Sequence, residues 1–230
     1  MEIKQDKSDD ARSKALLAAH MEKARTLLDR FLDSHGVSLP VLGKAMAEFT
    51  ETVFGLPDEA VCGPGCAFCC HLRVGVSIPE LLVIFYELKA QSPDRDLAYF
   101  SARVKDILAR GDTLAESFWL DTRTPCPFLG DRGHCLIYPI RPFSCRAYHS
   151  TDLTVCRTGF DEGRVIQVPC FPLYRACTDM YSSVFIRVMA DRGFPSYQVG
   201  LVRGLDILFS DETVSGRWLK KEDVFAPARL

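Results

Sequence analysis

In the sequence CGPGCAFCC at residues 62–70, four of nine residues are cysteine. On a helical turn that begins near Cys66, residues three and four positions apart share one face. The thiols of Cys69 and Cys70 would then point the same way as that of Cys66. The Gly-Pro-Gly sequence makes the approach to this turn tight, and Cys62 can fold back onto the same centre. The stretch therefore predicts a cluster of thiols.

The cluster belongs to a larger set, because the chain has ten cysteines in 230 residues. Disulfides need an oxidising compartment, and we find no secretory signal in the mixed-charge N-terminal sequence. Inert burial is a fair interpretation of Cys177 and Cys170, but it does not explain four cysteines in nine residues. Thiolate ligation of zinc or of an iron–sulfur cluster explains the spacing, and it is the interpretation that we favour.

The flanks of the cysteine-rich region have the apolar spacing of amphipathic helices. Ser77 is the expected N-cap of the third helix, because the sequence Ser-Ile-Pro-Glu follows the pattern of a helix start. The helices are predicted at Ala11 to Ser34, Pro40 to Phe54, Ser77 to Lys89, Asp94 to Arg110, Leu173 to Arg192 and Pro195 to Phe209.

The middle of the chain, from Thr122 to Pro172, is rich in proline and glycine and has no helical periodicity. It predicts irregular structure, with a short strand pair around Leu153 to Val168. An irregular stretch of this length needs something other than regular hydrogen bonding to hold it, and a bound metal would do so. We therefore expect a mainly α-helical single domain, 1–230, whose irregular Cys/Pro/Gly-rich middle section is organised around metal. Its parts are N-terminal helices (1–60), a cysteine-cluster core (61–177) and C-terminal helices (178–230).

Three further motifs follow the first cluster: CPFL at 126–129, GHCLIY at 133–138 and RPFSCRAY at 141–148. Together with the first cluster they resemble the YkgJ-type cysteine-cluster family, whose pattern is CxxCxxCC and whose members are described as zinc- or iron-chelating proteins. The resemblance covers about residues 61–157. Its most specific part runs from Cys135 to Arg146.

The resemblance implies a metal site built on the cysteines of these motifs. Cys156 falls where a later family cysteine is often found. The expected ligands are Cys62, Cys66, Cys69, Cys70, Cys126, Cys135, Cys145 and Cys156. Arg141 and Arg146 flank Cys145 and are expected either to donate to its sulfur and offset the site's negative charge, or to form surface salt bridges.

The expected cofactor is an iron–sulfur cluster, [4Fe-4S], with zinc as the next candidate. Eight ligands fit two four-ligand centres, or one centre with reserve thiols for redox work. The role expected of the cluster is redox or accessory. His71, His134 and His149 lie within four residues of a cysteine and are further candidate ligands.

Two alternatives stay open. A similar cysteine cluster occurs in flagellin lysine N-methylases, which implies a metal-dependent protein-modifying enzyme that uses S-adenosylmethionine. The chain lacks an obvious glycine-rich strand-to-helix turn for such a cofactor. The other alternative is a zinc-stapled module that binds a protein partner.

Composition limits the remaining classes. With 28 basic and 30 acidic residues the formal charge is -2, which argues against a nucleic-acid partner. The longest apolar run, Leu81 to Tyr86, is far shorter than the roughly 20 residues of a membrane span. We therefore expect a cytoplasmic protein without membrane or nucleic-acid partners, and with a protein partner or protein substrate still possible.

Overall fold

The computed structural model describes residues 7–52 and 58–230. It is 63% helical, with ten helices and a two-stranded sheet in the described part of the chain, so the mainly α-helical prediction is confirmed. No helix within those residues combines the length and the apolar character needed to cross a membrane.

The first two helices are α1, Lys7–His35, and α2, Leu39–Thr52. Both were predicted, although the expected end of the second helix at Phe54 lies outside the described residues. The buried face of α1 packs along a later helix, α8, Pro172–Asp191, which was also predicted. Arg192, just after α8, donates hydrogen bonds to the carboxylates of Asp29 and Asp33 on α1 and fixes this pairing at its end.

The next two helices are α3, Ile78–Gln91, and α4, Asp94–Ala109, close to their predicted bounds. The predicted N-cap is confirmed: the Ser77 hydroxyl accepts from the Glu80 N–H, and the Glu80 carboxyl group accepts in return from the Ser77 N–H. This reciprocal arrangement satisfies two backbone donors that a helix end leaves without partners.

The predicted helix from Pro195 to Phe209 is wrong in its first half. Residues Gln198–Gly200 form a strand, β2, and the helix α9 is only Leu201–Ser210. The strand pairs antiparallel with β1, Gly75–Ser77, with Val76 opposite Val199. The partner strand lies more than 120 residues away in the chain, so local periodicity could not reveal the pairing. The short sheet ties the start of α3 to the start of α9.

The middle of the chain is less irregular than predicted. The expected strand pair is wrong, because residues Leu153–Glu162 form a helix, α7. The Asp152 side chain accepts from two N–H groups of its first turn, and Gly163 ends it with a φ of +64°. Two shorter helices, α5 at Glu116–Thr122 and α6 at Phe143–Ala147, were not predicted. A final helix, α10, lies at Val214–Leu219.

The apolar core lies among α1, α3, α8 and α9, where Leu28, Leu81, Val188 and Leu205 are almost completely buried. The cysteine-rich segments lie at one side of this core, and α6 packs directly on α8. The helices therefore provide a rigid wall against which the cysteine loops are placed.

Candidate metal centre

The first cysteine segment, residues 61–71, is a loop that leads into β1. The Cys66 N–H donates to the Gly63 carbonyl at 3.0 Å and closes a tight turn. The predicted helical turn is present, but it is a 3₁₀ helix at Phe68–His71 that begins two residues after Cys66. The segment thus presents its thiols from a loop and from one short turn.

The second segment is joined to the first by its backbone. The Cys126 N–H donates to the Cys70 carbonyl at 2.7 Å, which places two predicted ligands side by side. A short antiparallel bridge closes residues 129–135 into a tight loop. At its tip Gly133 has a φ of +71°, and a Cβ there would lie 2.8 Å from the Gly65 carbonyl oxygen. The loop therefore packs directly on the first segment, and glycine permits that approach.

Arg103 on α4 holds the second segment from behind. Its guanidinium donates to the Leu129 carbonyl at 2.7 Å and to the Cys126 carbonyl at 3.2 Å. Sequence reasoning missed this residue, because nothing in the pattern of α4 distinguishes it from a solvated arginine.

Cys145 is presented by α6, and a buried carboxyl group fixes that helix. Glu80, only 1% exposed, accepts from the Phe143 N–H at 2.9 Å in the first turn of α6. It also accepts from the hydroxyls of Ser77 at 2.6 Å and Ser182 at 2.7 Å. One side chain thus connects α3, α6 and α8 beside the cysteine loops. The sequence pattern indicated only its capping role.

The cysteine thiols lie close enough to one another to affect each other's pKa. Burial first, and then the Cys69 and Cys135 thiols, raise the pKa of Cys145 to about 12, although the charge of Arg141 lowers it. Burial also raises the pKa of Cys126, and Cys145 and Cys135 add to that effect.

Burial and neighbouring thiols also raise the pKa values of the cysteines in the first segment. The pKa values of Cys62 and Cys66 are raised first by burial and then by other thiols, among them Cys69 and Cys156. For Cys69 the adjacent Cys70 thiol is the largest cause of a raised pKa. The structure therefore gathers the predicted ligands into one neighbourhood, where a bound cation would stabilise the thiolate forms.

The cysteines border two cavities and a small pocket. An open cleft of about 540 Å³ is bordered by Cys62, Cys66, Cys69, Cys70, Cys135 and Cys145. A second cavity of about 320 Å³ is bordered by the last four of these and by Cys126. Cys156 borders a smaller pocket together with Cys69. Within residues 7–52 and 58–230, no three cysteine, histidine or carboxylate side chains are close enough to hold one metal ion between them.

The predicted arginines lie at the cleft. The Arg141 guanidinium stacks on the Tyr138 ring at 4.1 Å, and its Nε is buried without a hydrogen-bond partner. Its charge lowers the pKa of Cys62, Cys69 and Cys135, so it faces the thiols. The expectation that Arg141 offsets the site's negative charge is consistent with this placement.

Arg146 contacts the backbone of its own loop. Its guanidinium donates to the carbonyl groups of Arg141 and Pro139, so it holds the loop that carries Arg141. Burial and the charge of Arg141 lower the pKa of Arg146. The described residues offer neither arginine a carboxylate partner, so surface salt bridges do not explain their positions.

The candidate histidines are differently placed. His149 is buried, with Nδ1 at 2.9 Å from the Ala147 carbonyl, and Nε2 accepts from the Phe171 N–H. Both its nitrogens are occupied, so it is not a ligand in this arrangement. The Nδ1 of His71 is 3.0 Å from the Ala67 carbonyl. His134 is exposed and borders the cleft.

Cys170 and Cys177, which we did not predict to be ligands, lie in different surroundings. Cys170 is near enough to the Tyr148 phenol to raise its pKa, and Tyr148 borders the cleft. Cys177 lies on α8, where its charged form would act on Tyr181 and burial alone raises its own pKa. Cys177 is therefore outside the cluster.

A comparison with protein families finds a match over the cysteine-rich region of the chain. Residues 61–170 match a family model described as "CxxCxxCC: Putative zinc- or iron-chelating domain". The match includes all eight predicted ligands and extends to Cys170, beyond the end that the motifs suggested. No curated protein and no solved structure matched the chain. The resemblance to lysine N-methylases stays a prediction.

Proposed function

Taking residues 61–170 as a CxxCxxCC metal-chelating domain, we propose that this protein holds an iron–sulfur cluster on its cysteine thiolates, with a redox or accessory role. The ligands in this proposal are the eight cysteines predicted from the sequence. Zinc is the second candidate, because thiolates bind it as readily.

The observation that carries the proposal is the spacing of the thiols around the cleft. A single zinc ion with Zn–S bonds of about 2.3 Å requires sulfurs about 3.8 Å apart. Six of the cysteines border a cleft of about 540 Å³, which is wider than the space that one zinc ion fills. A polynuclear cluster places metal and sulfide atoms between its thiolates, so it suits donors that border a wider space.

The chemistry of the donors points in the same direction. Sulfur supplies nearly all of the ligands that border the cleft, and the buried His149 has both ring nitrogens engaged. Iron–sulfur clusters are held mainly by cysteine thiolates, whereas zinc sites often include histidine.

The buried guanidinium of Arg141 also supports an iron–sulfur cluster at this site. A buried N–H without a partner is costly, and the sulfur atoms of a cluster would accept from it. When bound, such a cluster supplies one-electron exchange, and its potential depends on hydrogen bonds to sulfur and on exposure to solvent. The opening of the cleft at Tyr138, which is 57% exposed, would leave the cluster accessible to an electron-transfer partner.

The test is anaerobic purification followed by an absorption spectrum and analysis for iron, zinc and acid-labile sulfide. We expect broad visible absorption, with iron and sulfide in equal amounts. Colourless protein with zinc and no sulfide would overturn the iron–sulfur assignment in favour of zinc.

Variants locate the ligands. Cys69→Ser and Cys145→Ser should each lose metal and lower the melting temperature, because metal binding contributes to folding. Cys177→Ser is the matched control and should retain both properties, since this thiol is outside the cluster. Full metal content and an unchanged melting temperature in both ligand variants would contradict the assignment.

A further inference from the structure

The second cavity has a wall beyond the cysteines that the proposed function does not use. The cavity shares four cysteines, Arg141 and Tyr148 with the open cleft. The rest of its wall comes from β1 and the residues before it, from β2, from α8 and from the start of α9. With a volume of about 320 Å³, the cavity has the size of a binding site for a small molecule.

The charged side chains of this wall are mainly basic. Within the described residues, the guanidinium groups of Arg73, Arg141 and Arg175 border the cavity together with the carboxylate of Asp179. Three positive charges and one negative charge give an excess of two positive charges in a partly enclosed space. Positive charge between walls of low dielectric constant attracts anions, and a guanidinium binds a carboxylate through two parallel hydrogen bonds. The wall therefore favours a ligand with a negatively charged group.

Two of these guanidinium groups are positioned by the protein itself. Arg73 donates to the Leu114 carbonyl at 2.7 Å. The guanidinium of Arg175, in the first turn of α8, lies over the Tyr148 ring at 5.1 Å from its centroid. A donor that is already held in place loses less freedom when a ligand binds. Because Arg141 is assigned to the metal centre, Arg175 is the guanidinium that is left for a ligand on the α8 side.

Gln198 on β2 adds a neutral polar group, and Gly75 makes room for it. A Cβ at Gly75 would lie 2.7 Å from Cδ and 2.8 Å from Nε2 of Gln198, so the carboxamide lies directly across β1. The Ser144 hydroxyl donates to the Gly75 carbonyl at 2.9 Å and ties α6 to the same strand. The carboxamide NH₂ of Gln198 is a donor suited to a carboxylate oxygen.

The remaining wall of the cavity is apolar. Phe128, Ile137 and Leu201 border it, and each of them is at most 4% exposed. An inorganic anion presents no hydrocarbon to these side chains, whereas a carboxylic acid with an alkyl chain removes apolar surface from water when it binds there. The combination of basic and apolar walls selects a carboxylate on an aliphatic body.

We infer that the second cavity binds a small aliphatic carboxylic acid, with its carboxylate paired to Arg175 and its hydrocarbon against the apolar wall. Five cysteines border the same cavity, so the ligand would lie beside the metal centre. That position next to metal rests on the proposed function, whereas the binding of the acid does not.

Calorimetric titration of the full-length protein, purified with its metal, tests the inference with 4-methylpentanoate as the probe. Two further probes separate the parts of the ligand: 4-methylpentanamide has the same shape without the charge, and inorganic phosphate has the charge without the hydrocarbon. We expect saturable binding of one carboxylate per chain. Both other probes should bind at least about tenfold more weakly, because hydrogen bonds to a charged group are lost with the amide and apolar contact is lost with phosphate.

Variants of α8 locate the site. Arg175→Gln should weaken binding of 4-methylpentanoate by about tenfold or more. Arg187→Gln is the matched control, because Arg187 is exposed on the same helix and is not part of the cavity wall; it should leave the affinity unchanged. Asp179→Asn should tighten binding, because it removes a carboxylate that competes for Arg175 from one helical turn away.

Three results would overturn the inference: no saturable binding of 4-methylpentanoate, equal affinities for the acid and its amide, or an unchanged affinity in Arg175→Gln. Phosphate binding as tight as that of the acid would also overturn it, since the apolar wall would then have no part. Metal analysis of the same sample keeps the two proposals apart. Protein with neither iron nor zinc would refute the proposed function, and the titration would still decide whether the cavity binds the acid.

Discussion

Replacing Glu80 by alanine should separate the helical frame from the cysteine loops. The carboxyl group accepts from the Ser77 N–H and hydroxyl, the Ser182 hydroxyl and the Phe143 N–H, at 2.6 to 3.0 Å. Glu80→Ala leaves these buried donors without an acceptor and opens a small cavity at the start of α3.

The magnitude follows from the donors that are left. Each buried donor without a partner costs about 1–3 kcal/mol. The hydroxyls of Ser77 and Ser182 can turn to other acceptors, and losses within one network are not additive. We therefore expect a decrease of about 3–5 kcal/mol in the free energy of unfolding, a large part of the roughly 5–15 kcal/mol of a typical domain.

Urea unfolding followed by circular dichroism measures the change. The matched control is Glu87→Gln on the same helix, where the side chain accepts a hydrogen bond from Gln91 at an exposed position. That variant should change stability by less than about 0.5 kcal/mol. A Glu80→Ala variant as stable as the control would refute the assignment of Glu80 as the link between α3, α6 and α8.

Three further predictions concern the loops. Asp152→Ala should lower stability by about 1 kcal/mol in urea unfolding, because the N-cap of α7 is lost; no change would contradict that role. Gly133→Ala should cost about 1–3 kcal/mol, because a Cβ at a φ of +71° would meet a backbone oxygen, whereas Gly63→Ala has open space and should be neutral. Arg141→Gln should weaken metal binding about 10–100-fold in competition with a chelator, while the exposed Arg157→Gln should leave it unchanged; equal affinities would remove Arg141 from the site.

The sequence predicted best the features whose causes are local. The apolar spacing of α1 and α8 and the capping pattern of Ser77 and Glu80 act within a few residues, and the structure confirms them. The cysteine spacing likewise indicated the metal-chelating family that matches residues 61–170.

The errors occur where distant partners decide the local structure. Residues Gln198–Gly200 are a strand because β1 pairs with them, although their surroundings read as helix. At α7 the prediction is strands and the structure is a helix, although Asp152 and Gly163 are ordinary start and stop residues of a helix. The start and stop signals of α7 are therefore present in the sequence, but the many proline and glycine residues around them favoured a prediction of irregular structure.

The contacts among the cysteine loops could not be predicted from spacing at all. The hydrogen bond from Cys126 to Cys70 joins residues 56 positions apart, and Arg103 supports it from a helix without any motif. The spacing of the cysteines along the chain indicates that their thiols come together. The packing of the helices determines which of those thiols face the same cavity.

The neighbours of Cys145 in the motif RPFSCR at 141–146 determine the direction of its thiol. A helix of five residues such as α6 is not stable alone, so the direction of Cys145 depends on its neighbours. Pro142 begins the helix, and Phe143 is fully buried against aromatic rings of α8. The Ser144 hydroxyl donates to a carbonyl of β1 at 2.9 Å, and Arg146 returns to the preceding loop. Each neighbour fixes one contact of the turn, which is why a short irregular segment can hold a thiol in a defined direction.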